Sequence, residues 1–272
     1  MATTYTPQST DTSIEADRHL FKLLAQRTYE QRMAMTVRYT QGGFAMSLGG
    51  LENRFGHLDQ QAFACKVAQA WLGEHWPPGF EPKGDPMTWT QDSIGLARRL
   101  HVIFDDLKIL YYVTGGIAST TYGEPRFTID LDLVINVSGS NLYPLVAALE
   151  ADGFYIAGVD DAVSGRMKTL QITDQQTIER ADLVIAGNEA WDAVKFSRRQ
   201  LINTIYLASP EDVILNKLRW RENSQSEKQW RDVLGVLKVQ GQGLDFDYLQ
   251  TWADRLELTS DLKKAMGEAG LA

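Results

Sequence analysis

The stretch Tyr111–Val137 reads YYVTGGIASTTYGEPRFTIDLDLVINV, and the rest of the chain is organised around it. An apolar run is followed by the Gly115-Gly116 step, a helical turn of small residues, a turn at Gly123–Pro125, and a second apolar run broken by Asp130 and Asp132. Side chains on a strand alternate with a period of two, so both carboxylates point to one face. Two like charges held side by side repel, which favours a compensating cation, and a hard divalent ion such as Mg²⁺ suits oxygen donors. Gly115 and Gly116 lie between a strand and a short helix, where glycine lets the backbone approach a bulky anion and helix-start amides hold phosphate oxygens. The expectation is a site that holds a nucleoside triphosphate through Mg²⁺.

Gly115-Gly116, thirteen intervening residues and then Asp130-Leu131-Asp132 resemble the signature of the polymerase-beta-type nucleotidyltransferase superfamily. The words GGIAS, TYGEPR and TIDLDLV are similar to its bacterial toxin-like branch, which includes the abortive-infection type E and minimal nucleotidyltransferase toxins. The resemblance covers about residues 95–255. It implies two Mg²⁺ ions, a third carboxylate from a later strand and a helix lysine on the nucleotide phosphates. Asp182, in the apolar run RADLVI, fits the third carboxylate, and a salt bridge to Arg180 or Arg126 is its structural alternative. Arg126 is read as bracing the turn before the D-x-D strand. SPEDVILNKLRW and EKQWRDVLGVL also resemble the toxin-like branch. They place Lys217 on the phosphates, with Asp232 as its supporting acid. Without the resemblance, Lys217 reads as a snorkelling surface lysine. Asp130, Asp132, Asp182, Lys217 and Asp232 are the expected catalytic residues. Asp130, Asp132 and Asp182 would hold metal, while Gly115, Gly116, Ser119 and Lys217 would hold the nucleotide.

With 272 residues and 44% hydrophobic content, the chain can bury a sizeable core. The net charge is −8, so no global basic field recruits nucleic acid. Lys195–Asp232 nevertheless holds eight basic against five acidic residues, a local excess where a polyphosphate or an RNA acceptor would need it. The four histidines are scattered, against zinc chemistry, and the lone Cys65 has no internal disulfide partner. The N-terminus lacks the charged start and apolar centre of a secretory signal, and no run approaches roughly 18 apolar residues. Cytoplasmic residence and no membrane partner are expected.

In order, residues 1–12 read as a disordered tail, 13–72 as a helical domain and 73–90, with four of the eight prolines, as a linker. Residues 91–208 read as the catalytic core and 209–272 as a C-terminal helical subdomain. Gly42, Gly43, Gly49 and Gly50 are expected to break the second helix or to mark close packing, and Asp160–Gly165 reads as a polar loop. The fold class is α/β (α+β), the mixed sheet of a nucleotidyltransferase flanked by helices and preceded by a small all-helical domain. The resemblance implies transfer of a nucleotide to an RNA end or a protein, in a toxin-antitoxin setting with a cognate antitoxin. A small-molecule acceptor, and a catalytically silent nucleotide-binding or protein-interaction module, remain as alternatives. The helical N-terminal domain reads as a built-in inhibitor or a docking surface.

Overall fold

The two apolar runs of the opening stretch form antiparallel strands, β1 (Leu110–Val113) and β2 (Leu131–Asn136), in a computed structural model that describes residues 5–138, 141–224 and 226–271. The described residues divide into two compact units that interleave along the sequence. One comprises Met1–Thr36, Thr114–Arg126 and Val194–Ala272; the other comprises Val37–Val113 and Phe127–Ala193. The contiguous segments read from the sequence are therefore not the compact units. Linear composition marks punctuation, whereas packing joins segments distant in sequence.

The unit of Val37–Val113 and Phe127–Ala193 is built on β1 and β2 with β3 (Phe154–Ala157), β4 (Thr169–Asp174) and β5 (Arg180–Ile185), in the order β3-β4-β5-β2-β1. β2 and β5 run parallel and the other pairs antiparallel, so the sheet is mixed. Leu131, Leu133 and Ile135 of β2 are fully buried, while Asp132 and Val134 are half-buried on the opposite face. That alternation is the period of two expected of a strand with one face in the core. Helix α4 (Ser93–Asp106), capped by the Asp92 side chain, packs on β1, and α6 (Leu142–Ala151) packs on β3.

Residues 73–90 are not a free linker. Phe80 and Trp89 are buried in a cluster with Phe63, Val67 and Leu72 of α3 (Gln60–Leu72) and with Ile178. Lys83 N–H donates to the Gln175 carbonyl at 2.7 Å, and the Tyr155 hydroxyl donates to the Pro78 carbonyl. Prolines and glycines remove periodicity there without removing burial. Helix α2 (Tyr29–Phe55) runs unbroken through its four glycines. Of these, only Gly43 approaches a neighbour closely: a Cβ there would lie 2.6 Å from the Phe127 ring. The expected loop at Asp160–Gly165 overlaps α7 (Val159–Val163), which is preceded by Gly158 at φ 77°.

In the other unit, α10 (Glu227–Gln240) packs against α1 (Ile14–Ala25), α5 (Gly115–Tyr122), α9 (Pro210–Ser224) and α12 (Thr259–Ala269). Ser209 accepts from Asp212 N–H at 3.1 Å at the start of α9, the cap that Ser-Pro-Glu-Asp predicts. A short hairpin, β6 (Gln200–Ile202) with β7 (Ile205–Leu207), was not legible in the sequence. Residues 1–4 of the expected disordered tail lie outside the described residues, and the rest of it is anchored. Thr6 N–H donates to the Glu268 carbonyl at 2.9 Å, and the Tyr5 hydroxyl and Gln8 N–H both donate to Asp17. Among the described residues no helix is long and apolar enough to cross a membrane.

Candidate active site

The β2–β5 pairing sets Asp132 and Asp182 directly opposite each other. In a parallel ladder, opposed residues share a face and their strands lie about 4.8 Å apart, so the two carboxylates are neighbours. Asp130 stands one residue before β2, two positions from Asp132. The sequence puts them there because Leu131, Leu133, Ala181 and Leu183 are drawn into the core, which turns the intervening acids outward.

Arg180, the first residue of β5, supplies countercharge. Its Nη2 donates to Asp130 Oδ1, and its Nη1 stands 3.9 Å from Asp182 Oδ2. Gln171 Nε2, on the neighbouring β4, donates to Asp182 Oδ1 at 3.3 Å. Asp130 is 45% exposed and Asp182 26%, so both remain open to solvent and ligand while Arg180 is buried. As donors, three carboxylates near the start of two adjoining strands suit a hard divalent cation. Among the described residues, however, no three acidic, imidazole or thiol side chains form a ready-made metal cage.

The other expected site residues belong to the unit that contains α5, α9 and α10. Gly115 opens α5 at φ 60°, a conformation that glycine adopts without strain. Thr114, at the cap position, makes no side-chain bond to the helix amides. Those first amides have no partner within the helix and form the anion-facing end of its dipole.

Behind α5 lies a buried charge cluster. Asp232 of α10 accepts from Arg126 Nε at 2.9 Å and Nη2 at 2.7 Å, and from Lys217 Nζ of α9 at 2.8 Å. Ser119 Oγ donates to the same carboxylate at 3.1 Å and to the Gly116 carbonyl at 3.0 Å. Burial pushes the Asp232 carboxyl up, but Arg126 and Lys217 outweigh it and hold the group below its ordinary value.

The surroundings of two expected site residues could not be read from their place in the sequence. Ser119 is 2% exposed and its hydroxyl is engaged with Asp232 and the backbone. A serine one turn into a helix looks the same in sequence whether it points to solvent or into a helix crossing. Lys217 is not a surface lysine, since its side chain is only 9% exposed. Two further residues were missed or undervalued. Arg126 chelates Asp232 rather than merely bracing a turn, and Arg180 lies between Asp130 and Asp182. The signal for Arg180 was its i, i+2 spacing to Asp182 on a strand, which puts both on one face.

Several cations of the basic stretch Lys195–Asp232 are engaged in ion pairs, Lys217 with Asp232 among them. Arg198 pairs with Glu211 and Asp245, Arg221 with Asp261, and Arg231 with Glu124.

Neither a known family model nor a curated protein matches this sequence. Among solved structures, the chain is similar to an antigenic nucleotidyltransferase-like protein from Paracoccidioides brasiliensis, at 19% identity over 64% of this chain and 91% of that one, with a TM-score of 0.42. It is also similar to ANT(2″)-Ia in complex with adenylyl-2″-tobramycin, at 15% identity, 66% and 98% coverage and a TM-score of 0.41. JHP933 from Helicobacter pylori gives 14% identity, 68% and 95% coverage and a TM-score of 0.37. At such identities and TM-scores no residue role passes from those chains to this one.

Proposed function

We propose that this chain is a Mg²⁺-dependent nucleotidyltransferase that moves a nucleoside monophosphate from a nucleoside triphosphate to an acceptor hydroxyl on an RNA end or a protein. The observation that carries this reading is the register of β2 with β5, which pairs Asp132 with Asp182 and leaves Asp130 two residues away. A structural role does not call for three acids near the start of two adjoining inner strands, since like charges at such spacing cost stability. Asp130, Asp132 and Asp182 would hold two Mg²⁺ ions, which when bound activate an attacking hydroxyl and stabilise a leaving pyrophosphate. Asp182 also accepts the proton of the attacking hydroxyl.

In the other unit, Gly115 and Gly116 offer backbone amides to phosphate oxygens, and Lys217 adds positive charge. Asp232, braced by Arg126 and Ser119, fixes the Lys217 ammonium in place, so its contribution is positional. The finer reading, which rests on the sequence resemblance, is the toxin of a toxin-antitoxin pair.

The test is incubation of the pure protein with Mg²⁺ and each labelled nucleoside triphosphate, with and without total RNA. Label moving into RNA or protein with the wild type and not with D130N/D132N is the expected result. No transfer from any triphosphate to RNA, protein or a panel of hydroxylated small molecules overturns the enzyme reading, leaving a silent nucleotide-binding module.

A further inference from the structure

Arg180 is poised as more than a structural ion pair. Its side chain is 6% exposed, and among the described residues its buried Nη1 has no hydrogen-bond partner. A buried charged donor without a hydrogen bond is unfavourable, because it has lost its water and has only a longer-range ionic partner in return. Within the same side chain, Nη2 is committed to Asp130 and Nη1 stands 3.9 Å from Asp182. One guanidinium thus lies between two carboxylates on adjoining segments, while the Asp132–Asp182 register brings in a third acid. Three carboxylates and one guanidinium carry a net charge of about −2, the complement of a single divalent cation.

We infer that Arg180 is the positioning residue of this carboxylate cluster, acting as a resident cation that holds Asp130 beside Asp182 until a divalent ion displaces it from Asp130. The inference rests on the proposed metal role of the three aspartates. Two consequences follow from the charges alone. Without metal, Arg180 relieves repulsion among the acids and stabilises the fold. With metal present, it competes for Asp130 and repels the incoming ion, so it weakens binding. A merely structural arginine has only the first effect.

The experiment uses the full chain with Mn²⁺ as probe, following binding by electron paramagnetic resonance and thermal melting in the absence of metal. Arg180→Gln is expected to bind Mn²⁺ about tenfold tighter than the wild type, from removal of one nearby positive charge, and to melt at lower temperature when metal-free. Arg180→Lys, which keeps the charge and guards against a failure of Arg180→Gln to fold, is expected to bind Mn²⁺ no tighter than the wild type. Unchanged or weaker Mn²⁺ binding by Arg180→Gln alongside a lowered melt overturns the inference while leaving the metal site standing. Tighter binding by Arg180→Lys also overturns it. No Mn²⁺ binding by either the wild type or Arg180→Gln overturns the carboxylate site itself, and the inference with it.

Discussion

Asp232 neutralises two cations in a place that water scarcely reaches: its side chain is 5% exposed, that of Lys217 9% and that of Arg126 18%. Because its carboxyl is held below the ordinary 3.8, the unfolded chain takes up a proton at a pH where the native chain does not. The stability that Asp232 contributes is therefore complete above the ordinary value and is lost as the pH falls through the lower native one. Asp232→Asn keeps the shape and leaves Lys217 and Arg126 as facing buried cations. Removing one partner of a buried ion pair costs about 3–5 kcal/mol. Urea denaturation at pH 7 should show a loss of that order, and the gap between wild type and variant should narrow as the pH is lowered below about 4. Equal stability of the two proteins at pH 7 would show that the cations are compensated elsewhere. Much of this cluster was legible in the sequence, since Lys217 and Asp232 were paired from the words around them. What the sequence did not carry was the side-chain direction that gives Asp232 its two contacts to Arg126 and its one to Ser119.

At the scale of elements, two glycine settings that look alike in sequence behave oppositely. In α2, a Cβ at Gly42, Gly49 or Gly50 would meet nothing within 4 Å. Such glycines lower helix stability by about 0.8–1 kcal/mol each relative to alanine, and nothing nearby offsets that loss. The helix persists because its other positions pack: Phe44 is buried against Trp71, and the Thr40 hydroxyl exchanges hydrogen bonds with the Thr128 backbone. Gly123, at the end of α5, is the contrasting case. A Cβ there would come within 2.8 Å of the Gly235 and Val236 backbone of α10, and backbone atoms cannot swing aside. Gly49→Ala should raise stability by about 0.5–1 kcal/mol and Gly123→Ala should lower it by about 1–3 kcal/mol in thermal or urea melts. A stabilising Gly123→Ala would mean that α5 and α10 separate freely. Strand positions, by contrast, were largely readable: Phe154–Ala157 and Arg180–Ile185 lie where their short apolar runs put them, because such runs bounded by turn or polar residues mark strands. β6 and β7, three residues each, are too short for that signal.

At the scale of the molecule, the first 90 residues are built into both compact units. Sequence punctuation makes them look detachable, as a helical domain and a linker ahead of a catalytic core. Yet α1 packs on α10, where Asp17 receives the buried Lys238 ammonium at 2.7 Å. Elsewhere, Phe63, Val67, Phe80 and Trp89 enclose Ile178 on the chain between β4 and β5. Each large apolar side chain so buried contributes about 1.5–3 kcal/mol, and a domain of this kind is stable by only about 5–15 kcal/mol in total. Removing residues 1–90 takes away several such side chains and leaves Lys238 without its carboxylate, a loss comparable to the whole margin. Residues 91–272 alone should therefore retain helical far-ultraviolet circular dichroism, lose near-ultraviolet signal, bind a hydrophobic dye and melt without a cooperative transition. A sharp melt close to that of the full chain would show instead that the first 90 residues are an appendage. Only in that case could their deletion test them as an inhibitor, because loss of transfer on deletion would otherwise report unfolding rather than regulation.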